Sequence, residues 1–149
     1  MSLAMTKQER EAFLADLHVG VISIDEPGRG PLTVPIWYDY QPGGDLWILT
    51  DRGSRKGKLL DAAGRFSLCA QTETLPYKYV TVEGPIVSVE ATDPERVGRP
   101  MAHRYLGQEL GDQYLEATSA DEASRESVCI RMRPERWLTV DYAKQFSQV

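Results

Sequence analysis

The sequence predicts a mainly β fold of the α+β class, an antiparallel barrel of about six strands with helices at its periphery. Three observations carry that prediction. Short apolar runs follow one another with only turn residues between them, the order of a hairpin meander and not of alternating strands and helices. Leu32, Val34, Ile36, Tyr38 and Tyr40 alternate with Thr33, Pro35, Trp37 and Asp39, the period of a strand with one face in a core. Residues 77–90 form a long extended stretch with Gly84-Pro85 in its middle, as suits a strand that bends sharply to close a barrel.

The elements follow in chain order. Thr6 and Glu9 make a capping box, and Phe13, Leu14 and Leu17 recur on one face of a short amphipathic helix that packs on the sheet. Strands come next at 19–24, 32–40 and 46–50, parted by the turn-rich segments 26–31 and 41–44. Pro35 places its strand at an edge or bulge. A helix over 55–63, a strand over 66–71 and a loop over 72–76 lead into the bent strand. Asp93-Pro94 opens a helical region, with a break near Gly107 or Gly111, that ends about residue 117. Residues 128–132 return as a last strand. The polar stretch 117–127 is too short and too central for a domain linker, so residues 6–143 read as one domain. Residues 1–5, with Met1 and Met5 as alternative starts, read as an expression scar or a disordered start.

Composition removes several function classes. With 17 basic and 22 acidic residues the net charge is -5, which repels a phosphate backbone and disfavours nucleic-acid binding. No apolar run approaches the roughly 20 residues of a membrane span, and no leader pattern opens the chain, which points to a cytoplasmic protein. Cys69 and Cys129 stand singly in apolar runs and read as buried reduced thiols. His18 and His103 are the only histidines and nothing in the sequence brings them together, so no metal site is expected; His103 reads as a surface or packing residue of a helix. Dinucleotide turns, P-loops, HExxH, CxxC and GxSxG motifs are absent.

The informative segment runs from Thr50 to Leu60. Ser54 is a helix N-cap, yet Arg55, Lys56 and Lys58 crowd the first turn, where the helix dipole favours carboxylates. Each misplaced cation costs a few tenths of a kcal/mol, whereas a bound anion gains charge-assisted bonds of about 1.5–3 kcal/mol each. With the free amides of the helix start and the Thr50 hydroxyl, the segment forms a cradle for a phosphate monoester. The alternative is a solvated basic turn paired with Asp51 or Asp61. Trp37, Trp47, Tyr77 and Tyr79 lie on neighbouring strands, where they either stack on a planar ring or fill the barrel core or a subunit interface.

The run SRKGKLL, then FSLCAQ, then YVTVEGPIVSV resembles the pyridoxamine 5'-phosphate oxidase-like split β-barrel superfamily. The likeness extends from LHVGVISI through LTVPIWYDY and LWILT to IRMRPERW. It implies a homodimeric split barrel in which Ser54, Arg55 and Lys56 bind a flavin phosphate, with Thr50 on the preceding strand. Trp37 or Tyr79 would then touch the partner's cofactor. A glutamine of the vitamin-B6 oxidases corresponds to Tyr79, and their arginine-rich C-terminal segment has no counterpart in residues 143–149, so pyridoxamine phosphate oxidation is the least favoured activity. VPIWYDY and HRYLG look more like the short actinobacterial branch, which uses FMN or the deazaflavin coenzyme F-420. A deazaflavin tail would need a basic path beyond Lys58, with Arg52 or Arg65 supplying it.

The resemblance implies an oxidoreductase that passes a hydride between this cofactor and a small organic acceptor, with the ring held against Val34, Pro35, Ile36 and Trp37. Water, Tyr79 or Tyr105 would supply a proton. The rival reading is a carrier that binds flavin or haem without turnover.

Overall fold

The computed structural model describes residues 2–122 and 126–146, without the side chains of 120–122. Residue 1 and residues 123–125 of the polar stretch lie outside the described residues, as does the end of the tail. The expected antiparallel α+β fold is present, with eight strands in place of about six: β1 (Gly20–Ile24), β2 (Leu32–Ile36), β3 (Tyr38–Tyr40), β4 (Leu46–Asp51), β5 (Arg65–Gln71), β6 (Lys78–Ala91), β7 (Ser127–Met132) and β8 (Arg136–Asp141). Two departures account for the difference. The alternating run breaks at Trp37, so that β2 pairs with β1 while β3 pairs with β4. The run 136–141 is a full strand, overlooked because Arg136 and Thr139 dilute its apolar pattern.

β6 joins two curled sheets into a half-barrel. Its first half pairs with β5 on one side and β8 on the other, and its second half pairs with β7, which continues to β4 and β3. Gly84 makes the bend possible: a Cβ there would lie 1.8 Å from the Arg133 carbonyl oxygen. Between the curled strands lie Ile22, Ile48, Leu68, Val80, Val82 and Met132, all without exposed surface. Pro35 sits on the edge strand β2 opposite Val21, where its missing N–H breaks no ladder.

The helices are peripheral. In α1 (Lys7–Ala15), Thr6 and Glu9 form the expected capping box. The helix stops where Asp16 turns extended, so Leu17 lies beyond it and is exposed. α2 (Arg55–Ala63) ends on the left-handed Gly64, φ 69°. A single π-turn over Pro94–Gly98, capped by Asp93, leads into α3 (Arg99–Glu122), which breaks at Gly107 (φ 79°, ψ 176°). α4 (Ala143–Phe146) closes the chain. No helix among the described residues is long and apolar enough to cross a membrane.

The start of the chain is tied down, contrary to the expectation of a disordered segment. Asp141 N–H donates to the Leu3 carbonyl at 2.8 Å, Met5 N–H donates to Thr139 Oγ1 at 2.9 Å, and Met5 is buried. Leu3 and Met5 therefore cover the edge of β8. Both cysteines are free; Cys129 is buried, whereas Cys69 is only half-buried, on the outer face of β5.

Candidate cofactor cleft

The basic turn forms where β4 ends. Thr50 is buried at the end of that strand, and the chain turns over Asp51 to Ser54, whose N–H donates to the Asp51 carbonyl at 3.1 Å. Ser54 is the N-cap: its hydroxyl accepts from Gly57 N–H at 3.0 Å and donates to the Asp51 carbonyl at 2.7 Å. The Thr50 hydroxyl stands 3.5 Å away. That leaves the first two amides of α2, those of Arg55 and Lys56, without helical acceptors. Gly57 lets α2 sit this close, since a Cβ on it would fall 2.2 Å from the Asp51 carbonyl oxygen.

The three cations part company. Arg55 turns outward and forms a two-point pair with Glu26 in the turn between β1 and β2, which holds the Glu26 carboxyl below its usual range. Lys58 is exposed. Lys56 alone turns into a cleft of about 700 Å³, where burial depresses its ammonium and no carboxylate among the described residues pairs with it. Asp51 and Glu126 also line this cleft, with Glu126 3.2 Å from Arg52.

Much of the cleft wall is apolar. Pro35, Ile36 and Trp37 line it as the sequence suggested, whereas Val34 turns to the core. Tyr79 lies on β6 between Gln71 and Val140, away from the cleft. Trp37 stacks on Tyr105 at 4.9 Å and 3° and meets Tyr114 at 5.6 Å and 54°. Tyr105 takes no proton-donor position: its hydroxyl lies 2.6 Å from the His18 carbonyl and accepts from Tyr38 N–H at 3.0 Å, and burial raises its pKa. It thus satisfies the backbone where β2 and β3 part. Of the other aromatics, Trp47 lies on β4 under the Arg131 guanidinium and is not part of the cleft lining, and Tyr77 is exposed.

Sequence reasoning missed Val19, Leu49, Met101, Ala102, Tyr114 and Leu115, which complete the cleft. Val19 and Leu49 stand in apolar strand runs and the other four are short apolar pairs in a helical segment, signals that do not separate a cleft wall from a core. His18 stacks on Phe13 at 4.4 Å, with its pKa lowered by burial, and has a packing role. His103 lies on α3 outside the cleft lining, is partly exposed and contacts Asp112 at 2.7 Å, which fits the surface or packing residue expected of it. Among the described residues no three His, Cys, Asp or Glu side chains converge on a metal position.

The split antiparallel half-barrel with peripheral helices agrees with the sequence comparison. The family model described as pyridoxamine 5'-phosphate oxidase matches residues 6–141. The chain belongs to the pyridoxamine 5'-phosphate oxidase family. Among solved structures, a conserved hypothetical protein from Mycobacterium tuberculosis superposes with a TM-score of 0.74 at 22% identity, covering 99% of this chain and 91% of the other. An F420 reductase gives 0.69 at 19% identity, with 86% and 94% covered. An FAD-binding protein from Mesorhizobium loti gives 0.58 at 18%, with 91% and 94% covered. At these identities the likeness to those structures is one of fold. No curated protein sequence matches the chain.

Proposed function

We propose that this chain is a flavin- or deazaflavin-dependent oxidoreductase that binds FMN or coenzyme F-420 in the cleft and exchanges a hydride with a small organic acceptor. The observation that carries the reading is Lys56, a partly desolvated ammonium without a carboxylate partner among the described residues, set beside two uncommitted helix amides in a cleft that Trp37 and Tyr114 also line. Such a group is costly to keep unless an anion arrives. The volume of about 700 Å³ is in the ordinary range for a pocket of this kind, about 300–1,000 Å³.

Lys56, the α2 amides and the Thr50 hydroxyl would hold the phosphate. Pro35, Ile36 and Trp37 would flank the ring and exclude water. When bound, the cofactor supplies the hydride chemistry, and the chain needs no nucleophile of its own. Arg55 joins the anion at small cost, because solvent screens its pair with Glu26. Arg52 and Arg65, the candidates for a deazaflavin tail, are engaged with Glu126 and Glu83, so the tail would exchange with exposed pairs.

A second copy of the chain belongs to the same proposal. Registers across β2, β1, β5, β6 and β8 align Pro35, Val21, Cys69, Thr81 and Leu138 in one outward row. Val21 is 38% and Leu138 61% exposed, and the row begins at the cleft wall. Sedimentation measures the oligomer.

Titration of FMN and coenzyme F-420, read by quenching of their fluorescence, tests the binding site. Reoxidation of the reduced complex by quinones, enones and tetrapyrroles then tests turnover. Binding with no acceptor-dependent reoxidation makes the protein a carrier, and binding of neither cofactor removes the proposal.

A further inference from the structure

The two halves of α3 are attached to the molecule in different ways. The first half is fastened to the barrel. Met101 and Ala102 are buried, and the Arg104 guanidinium donates to the carbonyls of Tyr38, Ala15 and Asp16 at 3.2, 3.2 and 3.0 Å. Those last two contacts also cap the end of α1. Tyr105 adds its bonds to His18 and Tyr38.

The second half, from residue 108 on, follows the left-handed Gly107, a conformation that glycine adopts without strain and that acts as a swivel. It folds back on the first half at Gly111, where a Cβ would lie 2.7 Å from the His103 ring. Among the described residues its charged tie is Asp112, whose Oδ1 accepts from Arg99 Nη1 at 2.5 Å and from His103 Nε2 at 2.7 Å. Those bonds, His103 first, hold the Asp112 carboxyl below its usual range. Arg99 is shared with Glu95 at 2.9 Å. The three side chains are 31–47% exposed, so water competes for each contact. Yet Tyr114, Leu115 and Thr118 of this weakly tied half form one wall of the cleft, and its link to the barrel aromatics is the tilted contact of Tyr114 with Trp37.

We propose that residues 108–119 are a hinged cover over the cleft, swivelling at Gly107 and latched by Asp112 to Arg99 and His103, and that the latch controls access to the cleft wall at Trp37. The inference goes beyond the cofactor reading and does not depend on which cofactor binds. A segment held by few buried contacts and a solvent-accessible ion cluster opens locally at far lower cost than the barrel. Hinge residues absorb the backbone change while the closed contacts reform on either side.

The test compares the wild-type protein with Asp112→Asn, both free of cofactor, by amide hydrogen exchange and by acrylamide quenching of tryptophan fluorescence. A Trp37→Phe control isolates the share of Trp37. The expected result is exchange at least ten-fold faster in residues 108–119, unchanged exchange in β5 and β6, and a larger quenching constant for Trp37. Wild-type protein in 1 M against 0.05 M sodium chloride repeats the exchange comparison without a substitution, because high salt weakens solvent-exposed ion pairs. Exchange that is unchanged, or that rises equally across the barrel, overturns the cover, and so does faster local exchange with unaltered quenching. Neither readout needs a cofactor, so failure of FMN and coenzyme F-420 to bind would remove the oxidoreductase reading and leave this one standing.

Discussion

Replacing Lys56 with Met separates a binding lysine from a structural one, because the structure assigns opposite signs to its two effects. In the free protein the ammonium is partly desolvated and no carboxylate among the described residues compensates it. Met keeps the apolar stem and removes the charge, so the variant should melt no lower, and by direction higher, than the parent. The pH dependence carries the same sign. A lysine whose pKa in the folded state lies below its ordinary 10.5 leaves the unfolded chain with more bound protons between the two values, so parent stability rises with pH across that interval. That rise disappears in Lys56→Met. Toward a phosphate the sign reverses: losing one charge-assisted bond of about 1.5–3 kcal/mol weakens binding by roughly 10- to 150-fold. Titration of FMN, with inorganic phosphate as competitor, measures the loss, and calorimetry measures the melting temperature. Unchanged affinity in a protein that binds FMN would refute the assignment of the anion to Lys56.

Three further outcomes follow from individual contacts. Gly57→Ala gains up to about 1 kcal/mol of helix propensity but drives a Cβ to 2.2 Å from the Asp51 carbonyl, so urea denaturation should show a net loss of about 1–3 kcal/mol together with weaker FMN binding. Tyr105→Phe keeps the ring on Trp37 but strands the Tyr38 N–H, for a loss of about 1–3 kcal/mol with little change in tryptophan emission. Glu9 is held at about 2, from an ordinary 4.5, first by Lys144 and then by Thr6; the stability this contributes is present above pH 4.5 and fades as the pH falls toward 2. Lys144→Ala should raise the Glu9 pKa in an NMR titration and flatten that acid limb.

Much of the fold was legible because its signals are local. The capping box of α1, the Ser54 cap, the bend at Gly84-Pro85 and the break near Gly107 each need only a few adjacent residues to be recognised. The break at Trp37 was not legible, since alternation runs through it unbroken and what divides β2 from β3 is a change of pairing partner, fixed from 67 residues away by the Tyr105 hydroxyl. β8 was hidden for a related reason: Thr139 and Asp141 face inward because the chain start supplies Met5 N–H and the Leu3 carbonyl beside them. Polar residues at core positions are read from sequence as loop until their partners are known.

The site shows the same limit at the scale of single side chains. Crowding of cations at the start of α2 was visible in the sequence, but successive helix residues point about 100° apart, so the first turn alone does not say whether Arg55 or Lys56 turns into the cleft. Which one faces the cleft is decided by Glu26, contributed by the turn between β1 and β2, which draws Arg55 to the outside. Asp51 and Asp61, the carboxylates nearest in sequence, do not take Lys56, and its burial rather than the count of charges is what makes it the proposed anion contact. A run of basic residues therefore identifies the place where an anion would bind, while the carboxylates brought up by other strands select the cation that meets it.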